Sequence, residues 1–266
     1  MELVIVQQNV CGRDVYEGKR NIQDYEILIK EVREENPDII FLTEFYYREM
    51  YGITQEILEE YEFIKPVLLS EEDENKDGLY ASCILAIKKT TVNKGERFEL
   101  ANMLDYRYIC ADLNIKTGKI LKVLLMYVPQ TYNATRYRVE QKRKMLVSAN
   151  KYITRNSNTL IFVGGDMNSD IDGKTTTCIK EFEQIYEKLI DTDCKKKATW
   201  KGKRLDYALV SKTMKSSVNT IPLETQSDHI GLRTVWNIKN VINSSLPKYL
   251  SNFPYFTGFS AHSLVK

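Results

Sequence analysis

Two polar residues two positions apart, Asp166 and Asn168, follow an apolar run that ends in paired glycines, "TLIFVGG" (159–165). Leaving one such group buried and unpaired costs roughly 2–7 kcal/mol, so their place at the end of a strand calls for a reason. The pattern recurs. "DIIFLT" (38–43) delivers Glu44, "LVIVQQ" (3–8) leads to Asn9, and "LKVLLMYVPQ" (121–130) carries Tyr127 and Gln130. Asp206 sits inside the apolar "KRLDYALVS" (203–211), and Asp228 and His229 open "SDHIGL" (227–232). Singly, each has an ordinary explanation as a turn former, a helix cap or a satisfied core residue. Jointly, polar groups at the ends of buried strands converge on one rim of a layered sheet, where ligand sites of α/β proteins lie. Carboxylates and carboxamides are hard oxygen donors suited to Mg²⁺, Mn²⁺ or Ca²⁺. A histidine beside an aspartate gives a group that titrates near neutrality and has an orienting partner. Together they suit metal-assisted displacement at phosphorus.

Such a rim needs strands and helices to hold it. Short apolar, β-rich runs occur at 3–6, 39–42, 82–87, 108–115, 121–128, 159–165, 204–211 and 231–236. Helical spacing of apolar residues marks 21–36, where Ile22, Tyr25, Ile29 and Val32 share a face and Pro37 follows, and also 136–155 and 175–191. Strands in runs and strands alternating with helices predict an α/β fold, two sheets with helices outside. Residues 1–236 are expected to form one domain. Residues 237–266 lose the strand rhythm but carry Phe253, Tyr255, Phe256 and Phe259, and are expected to pack on the body or on a partner.

Composition narrows the class. Hydrophobic residues make up 43% and charged residues 28% of the 266, as in ordinary globular proteins. The net charge is only +2, yet residues 1–80 hold 8 Lys and Arg against 20 Asp and Glu, and the remainder holds 30 against 16. That asymmetry points to a polyanionic partner. The acidic stretch 69–78 reads as a loop. Five scattered cysteines without a CxxC pair suit reduced thiols in the cytoplasm rather than disulfides or zinc. "MELVIVQQNV" reads as a strand and not as a signal peptide, and no apolar stretch approaches the roughly 20 residues that span a bilayer.

In order, "QQN", "FLTEF", "YVPQ", "GGDMNSD", "ATWKGKRLDYALVS" and "SDHIGL" resemble the endonuclease/exonuclease/phosphatase superfamily, the deoxyribonuclease I-like proteins. The resemblance implies a four-layered α/β sandwich, two packed β-sheets flanked by helices, with the site at one sheet edge. It implies Glu44 as the principal ligand of Mg²⁺ (or Mn²⁺), with Asn9 beside it and Asp228 as a metal-side or second-shell acid. Asp166 would activate water or protonate the leaving group, Asn168 would orient phosphate or water, and His229, held by Asp206, would bind a non-bridging oxygen. The second histidine of the deoxyribonuclease I type is missing, since the chain has only His229 and His262. Tyr127 stands in that region, as in the exonuclease III, apurinic/apyrimidinic and retroelement endonucleases, where the tyrosine lies against the phosphate. Cys11 stands where that branch carries an acid.

Two basic segments, 195–204 and 136–155, favour nucleic acid, DNA ahead of RNA. Lys195, Lys196, Lys197, Lys201, Lys203 and Arg204 would contact phosphates by counterion release, and Trp200 or a nearby tyrosine could stack on a base. The expected activity is a Mg²⁺-dependent phosphodiesterase, a nuclease attacking with metal-activated water. The alternatives are a phosphoesterase acting on a small molecule or lipid headgroup, and a binding module without catalysis.

Overall fold

A computed structural model describes residues 1–66, 82–104, 106–131, 134–173, 177–193 and 195–240. The acidic stretch 69–78, Cys194 and the aromatic segment beyond residue 240 lie outside them. Two six-stranded sheets form the centre. In the first, the order is β11 (Val218–Leu223), β12 (Gly231–Asn237), β1 (Glu2–Asn9), β2 (Ile39–Phe45), β4 (Ser82–Lys88) and β3 (Tyr61–Ile64). In the second it is β5 (Val92–Arg97), β6 (Tyr108–Ile115), β7 (Ile120–Tyr127), β8 (Ile161–Asp166), β10 (Asp206–Val210) and β9 (Ile190–Asp191). Each sheet contains one parallel pair, β1 with β2 and β7 with β8, and antiparallel neighbours elsewhere.

The side-chain period of two sorts these strands between layers. Leu3 and Ile5, Ile39 and Phe41, and Leu121, Val123 and Leu125 point into the space between the sheets, where they pack with Phe162 and Trp236. The alternate residues of the first sheet, Val6, Ile40 and Leu42, meet Tyr25, Leu28, Ile29 and Val32 of α2 (Ile22–Glu34) and Met50 of α3 (Tyr47–Ile57). Leu124, Met126 and Val163 of the second sheet meet Met145, Leu146 and Ala149 of α4 (Arg136–Arg155) and Phe182 of α5 (Ile179–Tyr186). The layers therefore run helix, sheet, sheet, helix.

Every run read as a strand forms one, and the helices at 21–36 and 136–155 appear as α2 and α4. Asn21 caps α2 by accepting from the Gln23 N–H at 3.1 Å, and the helix ends before Pro37. The expected helix over 175–191 is shorter: α5 stops at Tyr186, and Ile190–Asp191 form β9 against β10. Edge strands β3, β5 and β11 and helices α1 (Gly12–Tyr16) and α3 escaped the sequence reading. No helix among the described residues is long and apolar enough to cross a membrane.

Candidate active site

The carboxyl ends of both parallel pairs meet at one edge of the sandwich. Asn9 pairs with Thr43 across β1 and β2, Tyr127 with Asp166 across β7 and β8, and Asp206 with Asp166 across β8 and β10. His229 precedes β12, which pairs with β1. Glu44 is aimed by a break in the ladder. The register of β2 against β4 shifts between Thr43 and Phe45, and Glu44 is the extra residue, with φ 55°. A non-glycine residue in the left-handed region of a bulge is strained, and such strain gathers at functional sites. Gly12 belongs to the same device, because a Cβ there would lie 2.1 Å from the Glu44 carbonyl oxygen.

Three side-chain hydrogen bonds cross the seam between the sheets at this edge. Asn9 Nδ2 donates to Asp166 Oδ2 at 3.2 Å, Tyr127 OH donates to Glu44 Oε1 at 2.9 Å, and His229 Nδ1 lies 2.9 Å from Asp206 Oδ2. Asp166 also accepts from the Asn168 backbone N–H at 2.8 Å and from Asn168 Nδ2 at 3.0 Å. Asn168, itself at φ 43°, anchors its amide on the Val128 carbonyl at 2.9 Å. Oxygens of Asp166 and Asp206 and a ring nitrogen of His229 lie within 4.8 Å of one another.

Burial and charge set the protonation of this set. Burial, together with Asp206, pushes the Asp166 carboxyl up to about 7, against the pull of His229 and the Asn168 N–H. Burial alone would lower His229, but Asp206, by charge and hydrogen bond, outweighs it with help from Asp166 and Asp228, so the imidazole is raised to about 9. Burial raises Glu44, opposed by Tyr127 and His229. Burial first, then the Glu44 charge, hold Tyr127 neutral, so its hydroxyl remains a donor.

Donor chemistry fits a hard cation on the Glu44 side. Glu44 has one oxygen on Tyr127 and a second not engaged by it, and Asn9 Oδ1, which accepts from the Cys11 N–H at 2.9 Å, keeps another lone pair. Asp228 is exposed, accepts from Trp200 Nε1 at 2.9 Å, and is close enough to act electrostatically on Glu44. Cys11 Sγ donates to Asp14 at 3.3 Å. The tightest cluster of donor atoms, Asp166 with Asp206 and His229, is a poorer cradle. His229 Nδ1 is taken by Asp206, and Asp166 receives three N–H donors.

The basic segment divides. Lys195, Lys196, Lys197, Lys201 and Lys203 are all exposed. Lys197 lies 3.6 Å from Glu224 and the Lys201 ammonium 4.6 Å from the Trp200 ring centroid. Arg204 corrects the sequence reading. It is 3% exposed, its two terminal nitrogens grip Asp191 at 2.5 and 2.7 Å, and it lies 3.7 Å from Asp193. Its guanidinium is committed inside the protein and does not face a nucleic acid. Trp200 and Lys203 close a two-residue hairpin over Lys201 and Gly202, both at positive φ. Thr199 Oγ1 ties this hairpin to the Leu205 and Asp206 N–H groups, which sets the Trp200 ring 6.0 Å from His229.

The Endonuclease/Exonuclease/phosphatase family model matches residues 6–229, which spans every one of these residues. The chain belongs to this family. Members of the family are phosphoester hydrolases that depend on a divalent metal, and the four-layered sandwich is theirs. Danio rerio TDP2 with a single-strand DNA product matches at TM-score 0.66 and 16% identity, over 89% of this chain and 99% of that one. The human nocturnin catalytic domain with bound sulfate matches at 0.65 and 20%, over 89% and 93%. A mannosyl-6-phosphatase of Bacteroides thetaiotaomicron matches at 0.61 and 16%, over 87% and 98%. At such identities these likenesses bear on the fold. No curated protein resembles the chain in sequence.

Within this family member, two cations at the rim were not singled out from the sequence. Arg107, just before β6, has its guanidinium carbon 4.4 Å from the Tyr127 ring centroid and its Nε buried without a hydrogen-bond partner. Lys142 of α4 is fully buried and donates to the Asn168 carbonyl at 2.6 Å. Burial lowers its ammonium to about 8, opposed by Cys178 and Asp166. A lysine on the buried face of an amphipathic helix is the one sequence signal that marks Lys142.

Proposed function

We propose that this protein is a metal-dependent nuclease that hydrolyses phosphodiester bonds of DNA, or of RNA, by in-line attack of water. One observation carries the reading: the three hydrogen bonds that cross the seam gather Glu44, Asn9, Asp166 and His229 at one edge. Glu44 and Asn9, with Asp228 behind them, would hold Mg²⁺ or Mn²⁺, which when bound neutralises charge on the phosphate. Tyr127 steadies Glu44 by its hydrogen bond. His229, with Nδ1 fixed on Asp206, presents Nε2 to a non-bridging oxygen as a charged donor. Asp166 handles the proton, taking it from water or returning it to the leaving oxygen, and Asn168 keeps its carboxylate in place.

The exposed lysines beside Trp200, and a relative crystallised with single-strand DNA, support a nucleic-acid substrate. A small-molecule phosphoesterase is the second reading, favoured by the fold likeness to a mannosyl-6-phosphatase. Nicking of supercoiled plasmid with Mg²⁺, set beside release of phosphate from phosphomonoesters and inositol phosphates, decides between them. Plasmid cleavage that Asp166→Asn abolishes is the expected result. Turnover of monoesters alone would overturn the nuclease reading.

A further inference from the structure

Beside Glu44, a cleft of about 700 Å³ that no residue of the lysine hairpin lines opens between α1 and the start of α4. That volume is within the ~300–1,000 Å³ of small-molecule sites. Its lining is aromatic and charged: Glu17 pairs with Arg13 and Glu44 faces the metal side, which leaves Arg107 and Arg138 as its cations without a carboxylate partner among the described residues. Tyr16 and Tyr46 stack on one wall with centroids 5.5 Å apart and planes 11° apart. Arg107 lies between the rings of Tyr127 and Tyr106, 4.4 and 5.6 Å from their centroids. Arg138, on the first turn of α4, also lines the cleft and has no ion pair among the described residues. The Arg107 guanidinium is held by the Tyr106 and Tyr127 side chains, so it is set in position at the cleft wall before any ligand arrives.

We propose that this cleft is a subsite for one nucleotide unit next to the scissile phosphate, its base against the tyrosine wall and its own phosphate between Arg107 and Arg138. The proposal rests on the nuclease reading and names the part of the substrate that gives it specificity. The chemistry selects the ligand. Flat π faces stack on tyrosine rings whatever the base, and guanidinium groups take phosphate oxygens in bidentate fashion. A sugar phosphate offers no π face. A lipid tail needs an apolar lining, and this one carries hydroxyl and charged groups. A strand bound here would pass from the lysine hairpin, over Asp166 and His229, and end its contacts in the cleft.

Tyr16 and Arg138 are on the surface and outside the catalytic set, so Tyr16→Ala and Arg138→Ala should fold. Binding is measured by calorimetry in EDTA with adenosine 5′-monophosphate, ribose 5-phosphate and inorganic phosphate as probes. The nucleotide should bind about tenfold more tightly than ribose 5-phosphate, and each variant should lose about tenfold of that nucleotide affinity. On a short single-stranded oligonucleotide, each variant should raise KM more than it lowers kcat. Equal affinity for the nucleotide and ribose 5-phosphate would overturn recognition of the base. Variants that bind and cleave as the wild type does would overturn the subsite while leaving the nuclease reading standing. Nucleotide binding that the variants weaken, in a protein that cuts no nucleic acid, would instead overturn the nuclease reading and keep the subsite.

Discussion

Glu44, Asp166 and His229 each meet a partner from the opposite sheet, whereas Lys195, Lys196, Lys197, Lys201 and Lys203 extend from a loop with their side chains exposed. The rim is held by directional hydrogen bonds across the seam, and the loop supplies exposed charge. Bond making at phosphorus requires the first property. Holding a polyanion requires only the second, because the attraction comes from released counterions. Arg204 breaks the pattern from inside the basic run, since it is buried and paired like a rim residue.

The sharpest contrast should come from the rim. Asp166→Asn and His229→Asn should each reduce single-turnover cleavage by about 10³-fold or more while nucleic-acid binding persists. A loss under about tenfold would place the chemistry elsewhere. Arg204→Ala comes next, and its effect falls on the fold. Stranding Asp191 beside an empty site should cost about 3–5 kcal/mol in denaturant unfolding, whereas Lys195→Ala, at an exposed position, should leave the midpoint where it is. A third test takes the hydroxyl behind the metal side: Tyr127→Phe should weaken Mg²⁺ affinity about 10–100-fold, read from a metal titration.

Acidity tests the same rim without mutation. Asp166 is to work ionised and His229 charged, so kcat should follow a bell whose acid limb is the ionisation of Asp166 and whose alkaline limb is the loss of the His229 proton. Stability follows its own sign. Both groups bind their proton more tightly folded than unfolded, so metal-free protein should lose stability as pH rises. The His229 share, complete below about 6.5, disappears through about 9. A metal-free melting temperature that climbs from pH 6 to 9.5 would contradict the assignment. The smallest effect belongs to the loop. Changing its five lysines to serine should flatten the salt dependence of binding by about 0.7–0.9 in log–log slope per lost phosphate contact. Equal cleavage at low and high salt in mutant and wild type would leave the lysines as a solvated surface.

The sequence made the rim legible because a carboxylate or amide after an apolar run has few reasons to be there. Glu44, Asp166 and Asp206 announce themselves in that way, as do the central strands that carry them. The edge strands do not. β5, "VNKGER", and β11, "VNTIPL", bury little and carry polar residues, glycine or proline, so their pairing is decided by the neighbouring strand rather than by pattern. Lys142 could have been found from its place on the buried face of α4, but Arg107 and Arg204 were unreadable for the reason that makes all three informative. A cation in a chain this rich in cations gives no sign of whether it points inward, and only tertiary packing against Tyr127 and Asp191 tells which ones do.

The three hydrogen bonds across the seam also bear on alignment. The layer between the sheets is largely apolar, and dispersion contacts have no preferred direction, so in itself it offers little resistance to one sheet sliding over the other. Hydrogen bonds of 2.9–3.2 Å do resist, since they weaken steeply off axis. The sandwich is therefore indexed at the edge where a misalignment of one ångström would separate the metal side from the proton side. A variant such as Asn9→Ala, which removes one of these pins, should broaden the resonances of β8 and β10 through slow sliding before it lowers the melting temperature.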